Sequence, residues 1–210
     1  YGSHLQRHIN AAVVYDVWKY YEATGDSDFM SYYGAELVLE IARFWDSAAT
    51  WNDELGRYEI HGVMGPDEYH ERYPDADEPG LSNNAYTNVM AVWCLRRALE
   101  LLDELPPRRV QELRETLDLR PDDLDRWRDL CRRMRVCIGD DGIIRQFEGY
   151  EQLEELDWDA YRARYGDIHR LDRILEAEGD TPNRYKLSKQ ADVLMLFYLL
   201  SPTELRDLLA

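Results

Sequence analysis

Three carboxylates, a histidine and a tyrosine stand within five residues, from Asp67 to Glu71. Gly65 and Pro66 come directly before them, and because this pair interrupts helices and strands, the acidic residues are predicted to lie on a turn or loop. Carboxylates this close repel one another, which predicts a raised pKa for at least one of them. A carboxyl group of raised pKa can act as a general acid near neutral pH, although a solvated acidic loop has the same composition.

A second polar pair, Lys189 and Gln190, comes just before an apolar segment near the end of the chain. Lysine offers three hydrogen-bond donors, and glutamine offers both donors and acceptors, which together suit the vicinal hydroxyls of a sugar. We expect Ser188 to cap the following helix, so that the pair projects from its first turn. An exposed Lys-Gln pair at the start of any helix has the same pattern, so both interpretations stay open.

Two stretches, residues 62–71 and 83–88, resemble the catalytic signature of glycoside hydrolase family 65. That family includes maltose, trehalose and kojibiose phosphorylases and acid trehalases. Residues 5–12, 146–150 and 185–194 resemble further family motifs, in the family's order and approximate spacing. Each motif is short, but together they extend across nearly the whole chain.

The resemblance implies a site built on Glu68 as the general acid, with Lys189 and Gln190 binding the sugar. Asp67, His70 and Glu71 are loop neighbours that could tune Glu68. In the family's phosphorylases, inorganic phosphate attacks an α-glucoside with inversion and releases β-glucose 1-phosphate. The resemblance implies phosphate as a co-substrate, and neither a metal nor an organic cofactor.

The expected substrate is an α-linked glucose disaccharide such as trehalose, kojibiose or maltose. In the family's hydrolases a second carboxylate activates water instead, so phosphorolysis and hydrolysis both stay open. A non-catalytic carbohydrate-binding or helical interaction module is the alternative from another class.

Residues 1–210 resemble a central segment of the catalytic domain, incomplete at both ends, because a Trp-Asp motif and a phosphate-binding loop of the family have no counterpart. We therefore expect these residues alone to be inactive, and either to self-associate or to pack with the rest of a longer chain.

The composition excludes some classes of partner. Lys and Arg number 25 against 42 Asp and Glu, for a formal net charge of −17, so nucleic acid and anionic membranes would repel the chain. Six Trp and fifteen Tyr could stack on sugars, although aromatic residues also fill helical cores. Three cysteines without CxxC spacing argue against a disulfide framework or zinc site and suit a cytoplasmic location.

Helical periodicity dominates the chain and predicts the elements that position these residues. The predicted helices are 5–24, 28–48, 84–105, 110–117, 121–134, 158–165, 169–176, 188–200 and 202–210. Val13 and Tyr20 belong to the predicted buried stripe of the first helix, and Tyr33 and Leu37 to that of the second. His8 begins the first helix, where a ligand role and a structural role are both open.

Alternating residues predict two short hairpins, one within 51–62 and one within 136–147. The predicted fold class is all-α: antiparallel helical hairpins with short β-hairpins in the loops. The family resemblance implies that this array is part of an (α/α)6 barrel, with the active site built from inter-helix loops at one mouth.

Overall fold

A computed structural model describes residues 2–209 and confirms a mostly helical fold with a small sheet. The α-helices are α1 (Ile9–Thr24), α2 (Ser27–Phe29), α3 (Ala35–Ala48), α4 (Ala85–Glu104), α5 (Pro107–Thr116), α6 (Pro121–Arg133), α7 (Trp158–Tyr165), α8 (Leu171–Ala177), α9 (Asp192–Leu199) and α10 (Pro202–Leu209). A π-helical turn, Met30–Gly34, joins α2 to α3. Strands β1 (Ala49–Asn52) and β2 (Arg57–Ile60) form an antiparallel hairpin.

The predicted buried faces of the first two long helices are wrong in part: Tyr33 and Leu37 are exposed, whereas Trp45, further along the second helix, is buried. In α1 the buried residues are Ala11, Val14 and Trp18, whereas Val13 and Tyr20 are exposed. Apolar residues occur on both sides of α1, so periodicity alone does not select the buried side. Before α3, the π-helical turn adds a residue to one turn and rotates the side that faces the core. Tyr33 is consequently 73% exposed.

Helix α4 is the central element, and it packs against α1, α3, α6, α9 and α10. Its side chains are buried on every side from Ala85 to Leu95, which explains why the helix is apolar beyond a single stripe. The sequence offers Asn83 or Asn84 as its cap, and the structure selects Asn84, whose side chain accepts a hydrogen bond from the backbone N–H of Thr87 at 2.9 Å. The fixed N-terminus of α4 then supports the loop that carries the acidic residues.

The first predicted hairpin is confirmed: Ala49 pairs with Ile60 and Asn52 pairs with Arg57. It delivers the chain directly to residues 62–71. The second predicted hairpin is reduced to a single bridge between Ile138 and Ile144. Its remaining residues are turns and bends, since Arg145 is held by Asp141 and the chain then turns inward at Gln146.

The predicted helix start at Ser188 is also wrong. Helix α9 begins at Asp192, so Lys189 and Gln190 lie in the turn that precedes it. The backbone N–H groups of both residues point at Asp67, 2.8 Å and 3.4 Å from its Oδ1 atom, and this contact competes with a helical conformation. The pair therefore sits against the acidic loop rather than on a helix.

A large hydrophobic core joins α1, α3, α4, α6, α9 and α10. Two smaller clusters lie beside the acidic loop, one around Leu171 and one around Phe147. In the described part of the chain, no helix is both long and apolar enough to cross a membrane.

Candidate functional site

The acidic loop begins at a tightly anchored strand-like segment. Val63 and Leu81 exchange backbone hydrogen bonds of 3.1 Å and 2.7 Å, which closes residues 63–81 into a loop with a fixed base. The ring of His8 donates from Nδ1 to the Met64 carbonyl at 3.1 Å, so the structural role left open for His8 is the observed one. Burial lowers the pKa of His8, which is consistent with a neutral ring at this position.

Gly65 has no room for a side chain. A Cβ atom there would overlap the carboxyl group of Asp192 and the amide of Asn84, whose Cγ would lie only 2.9 Å away. Glycine lets the backbone of the turn press directly onto these two groups. The following residues, Pro66 to Glu68, are thereby fixed against α4 and α9.

Asp67 is a buried hub rather than a solvated acid, with 1% of its surface exposed. Its Oδ2 atom accepts hydrogen bonds from His70 Nδ1 at 3.0 Å and Gln146 Nε2 at 2.9 Å. Its Oδ1 atom accepts from the backbone N–H of Lys189 at 2.8 Å. Burial acts to raise the pKa of Asp67, but the hydrogen bonds from these three residues outweigh it and lower that pKa below its usual value.

His70 lies between two acceptors and is fully buried. Its Nε2 atom is 2.9 Å from the Tyr185 carbonyl oxygen, and its Nδ1 atom faces the Asp67 carboxylate. The two contacts of the ring tie the acidic loop to the segment before Lys189.

Glu68 and Lys189 emerge from this buried framework toward solvent. The Lys189 ammonium group forms an ion pair with Oε2 of Glu68, with their side chains 40% and 49% exposed. The hydrogen bond to Glu68 raises the pKa of Lys189. The structure thus brings together the predicted general acid and one predicted sugar ligand, although their roles stay predictions.

The other predicted residues have separate positions. Gln190 donates its backbone N–H to Asp67, while its buried side-chain oxygen has no hydrogen-bond partner in the described residues. Glu71 pairs with Arg72 at 3.3 Å, and its backbone N–H binds the side chain of Asn183. Glu71 therefore ties the loop to Asn183 and does not pair with Lys189.

The prediction that crowding raises the pKa of a carboxylate in the loop is wrong for Asp67, and the clear upward shift lies elsewhere. Asp192, at the start of α9, has its pKa raised to about 7 by burial and by the nearby charge of Asp67, against a hydrogen bond from Asn84. Sequence reasoning missed this residue. The sequence feature that could have identified Asp192 is an acidic side chain at the start of an apolar segment, shortly after Lys189 and Gln190.

Tyr69 extends the site toward α8. Its ring packs against the small cluster of Leu156, Leu171, Leu175 and Leu187. The N-terminal end of α8 also carries an ion pair, Arg170–Asp172, at 2.7 Å. Residues 154–187 are thus attached to the acidic loop through Tyr69 and through the Tyr185 carbonyl.

A cleft of about 950 Å³ is lined by Arg135, Asp141, Arg145 and Glu148 among others, and Glu68 and Lys189 are not among its lining residues. We place the candidate site at Glu68 because the buried network converges there, whereas Arg135 in the cleft is already paired with Glu59 and Glu148. Within residues 2–209, no three His, Cys, Asp or Glu side chains are grouped to hold a metal ion.

Comparison with known proteins identifies the family of this chain. The model of the glycosyl hydrolase family 65 central catalytic domain matches residues 1–208. The chain therefore belongs to glycoside hydrolase family 65.

Three individual proteins show how similar this chain is to members of the family. An uncharacterized glycosyl hydrolase of Mycobacterium tuberculosis strain H37Rv is 57% identical over 97% of this chain and 15% of that protein. A trehalose 6-phosphate phosphorylase of Lactococcus lactis is 42% identical over 94% of this chain and 24% of that enzyme. A solved structure of a candidate kojibiose phosphorylase from the human microbiome has a TM-score of 0.73 at 25% identity, over 90% of this chain and 25% of that one.

The chain thus spans a quarter or less of the length of each of these relatives. Several of the curated relatives are phosphorylases that their names assign to α-glucosides, including kojibiose and 1,2-α-glucosylglycerol. A carbohydrate-active enzyme of the glycoside phosphorylase and hydrolase class is the function that membership of this family supports.

Proposed function

We propose that these residues form part of the active site of an inverting glycoside phosphorylase, which converts an α-linked glucose disaccharide and inorganic phosphate into β-glucose 1-phosphate. The observation that carries the proposal is the pairing of Glu68 with Lys189 on a buried framework. The named activities of relatives such as the trehalose 6-phosphate and kojibiose phosphorylases support the substrate class.

In the proposed reaction the bond between the anomeric carbon and the leaving oxygen breaks, and Glu68 donates a proton to that oxygen. A phosphate oxygen forms the new bond to the anomeric carbon from the opposite face, which inverts the configuration. The proposed general acid and nucleophile act on opposite sides of the sugar ring, as inversion requires.

Lys189 and Gln190 are proposed to hold the glucose unit that is transferred. In the free protein the Lys189 ammonium is occupied by Glu68. Sugar hydroxyls compete for the same donors, so substrate binding separates the pair and leaves the Glu68 carboxyl free to carry a proton. Substrate binding is thus proposed to convert the paired Glu68 and Lys189 side chains into their reactive arrangement.

The helices are proposed to be part of an (α/α)6 barrel whose remaining helices belong to a longer protein. Asp67, His70 and Glu71 are proposed to act on Glu68 only through the loop. The proposed location of the whole protein is the cytoplasm, with phosphate as co-substrate and without a metal or organic cofactor.

Glu68→Gln in the full-length protein tests the proposal. We expect turnover of kojibiose, trehalose and trehalose 6-phosphate to fall by about 10²–10⁴-fold, the usual contribution of a general acid. Glu54→Gln, at the exposed turn of the β1–β2 hairpin, is the matched control and should keep full activity. The loss should be smaller with aryl glucosides, because their leaving groups need less protonation.

The products distinguish the reaction types. Phosphate-dependent formation of β-glucose 1-phosphate supports phosphorolysis, whereas phosphate-independent release of glucose indicates a hydrolase. An equal loss across all leaving groups would remove Glu68 from the role of general acid. Binding of the disaccharides without either product would indicate a carbohydrate-binding module.

A further inference from the structure

We propose that Asp192 is a positioning residue of the glucoside site, because its carboxyl group fixes, through Asn84 and the Gly65 turn, where Glu68 stands relative to Lys189. This inference rests on the proposed function. Asp192 does not contact the exposed Glu68–Lys189 pair, and it acts from the buried side of the same loop.

Asp192 is an unusual carboxyl group for a hydrophobic helix. It is 1% exposed at the start of α9, and its Oδ2 atom accepts one hydrogen bond, from Asn84 Nδ2 at 3.1 Å. Its Oδ1 atom is buried and has no hydrogen-bond partner among the described residues. Burial of such a group is costly, so its place in the fold needs a compensating role.

Asn84 is a rigid partner for this carboxyl group. Its Nδ2 atom donates both to Asp192 and to the Gln146 carbonyl at 3.2 Å, and its Oδ1 atom accepts from the backbone N–H and the hydroxyl of Thr87. Both ends of the amide are therefore used, and its orientation is fixed by the N-terminus of α4. Asp192 is held by a group that cannot rotate without breaking the helix cap.

The Gly65 turn completes the contact. The missing side chain of Gly65 leaves just enough room for the Asp192 carboxyl and the Asn84 amide to touch the backbone. Two residues later, Asp67 is tied to Gln146 and to the backbone of Lys189. Asp192, Asn84, Gln146, Asp67 and Lys189 thus form a closed circuit, since Lys189 and Asp192 lie three residues apart in the chain.

Glu68 follows Asp67 directly in the chain, and the backbone N–H of Lys189 binds Asp67. The circuit therefore sets the distance between the Glu68 and Lys189 side chains. Removing the Asp192 carboxyl takes away one acceptor of the Asn84 amide and opens space beneath the Gly65 turn. A shift of about 1 Å in a reacting group can lower a rate by about 10²-fold, and this is the size of effect expected here.

The protonation of Asp192 fits this role. Its pKa of about 7 makes the neutral acid a major form near neutral pH. Asp67, Asn84, Tyr86 and Tyr150 are the neighbours that influence it, and Asp67 is the anionic one among them. A neutral carboxyl group here avoids a second buried anion beside Asp67.

The test compares Asp192→Asn, Asp192→Ala and Gly65→Ala in the full-length protein. Asparagine keeps an oxygen for Asn84 and the neutral charge, so Asp192→Asn should keep kcat within about five-fold of wild type. Asp192→Ala and Gly65→Ala should each lower kcat by about 10²-fold, with KM changed less than about threefold. Thermal melts establish that the compared variants are folded.

Wild-type kcat in a folded Asp192→Ala protein would overturn the proposal, and so would an equal loss in Asp192→Asn and Asp192→Ala. If Asp192→Ala does not fold, the kcat values of Gly65→Ala and Asp192→Asn are compared instead, and an equal loss in these two variants would overturn the proposal. If the wild-type protein turns over no glucoside, the proposed function fails, and crystal structures of the variants then test positioning alone. Glu68 and Lys189 should separate in Gly65→Ala and remain paired in Asp192→Asn, and an unchanged pair in Gly65→Ala would refute the positioning role.

Discussion

The carboxylate of Asp67 accepts the backbone N–H of Lys189 at 2.8 Å, a contact between residues 122 positions apart in the chain. It joins the loop that carries Glu68 to the turn that carries Lys189 and Gln190, the pair proposed to bind the sugar. Because Asp67 also holds His70 and Gln146, the same carboxylate fixes three chain segments at once.

The buried Asp67–His70 pair is expected to contribute strongly to stability. Asp67→Ala leaves the buried Nδ1 atom of His70 without its hydrogen-bond partner, and leaving a buried polar group unpaired costs about 1–3 kcal/mol. Urea unfolding of Asp67→Ala, His70→Ala and the double variant measures the coupling, expected at about 1–3 kcal/mol. Additive single effects would show that the two residues act independently.

Lys189 is expected to act in substrate binding. Lys189→Met in the full-length protein should raise KM for the glucoside by about tenfold or more, as for the loss of a charged hydrogen bond of about 1.5–3 kcal/mol. Lys186→Met is the matched control, because Lys186 pairs with the exposed Glu155 instead. Equal KM values for the two variants would place Lys189 outside the sugar site.

Asp192 is expected to make stability fall as pH rises from about 4 to about 7. The pKa of Asp192 is about 7 in the folded state and lies above its value in the unfolded state, so the folded state binds the proton more tightly. The resulting stabilisation is complete below about pH 4 and is lost as the pH rises toward 7. A shift from 3.8 to about 7 corresponds to a change on the order of 4 kcal/mol.

Urea unfolding at several pH values, with Asp192→Asn as the reference, measures this effect. The wild-type free energy of unfolding should decline relative to the variant across that range. Asp67 contributes in the opposite sense, because its lowered pKa gives stability that is lost as pH falls below about 4. Parallel pH profiles for wild type and Asp192→Asn would contradict the raised pKa.

Residues 71–81 are expected to shape the subsite for the leaving sugar, because they directly follow Glu68, the proposed general acid. Their base is fixed by the Val63–Leu81 bonds and by Asn183, so a loop exchange between these points should preserve the fold. Exchange with the loop of a kojibiose phosphorylase should change which acceptor is used in reverse synthesis, while the use of glucose 1-phosphate stays the same. An unchanged acceptor preference would show that residues 71–81 form a surface loop without a part in acceptor choice.

Residues 1–210 alone are expected to be inactive and to self-associate. Helix α9 exposes Leu194, Phe197 and Tyr198 by 67%, 59% and 90%, and an apolar face of this kind favours contact with another surface. Light scattering should show oligomers that dissociate in the variant Leu194→Lys/Phe197→Lys. Tyr33→Ser, at an exposed position on another helix, is the control, and a monodisperse wild-type monomer would contradict the expectation.

Local sequence patterns predicted most of the helices and several of their ends. Gly25 ends α1 in the left-handed conformation, Asn84 caps α4, and Pro121 opens α6, because each depends on local backbone geometry. The motif at residues 62–71 also identified the loop that carries Glu68. These features need only neighbours in the chain.

Only the tertiary structure decided which side chains are buried and which carboxyl group has a raised pKa. Asp67 and Asp192 look alike in sequence, yet hydrogen bonds outweigh burial at Asp67, whereas burial and the nearby charge of Asp67 outweigh the hydrogen bond from Asn84 at Asp192. The start of α9 was likewise displaced to Asp192 by the distant carboxylate of Asp67. A pKa and a helix boundary of this kind depend on groups far away in the chain, which local sequence patterns do not record.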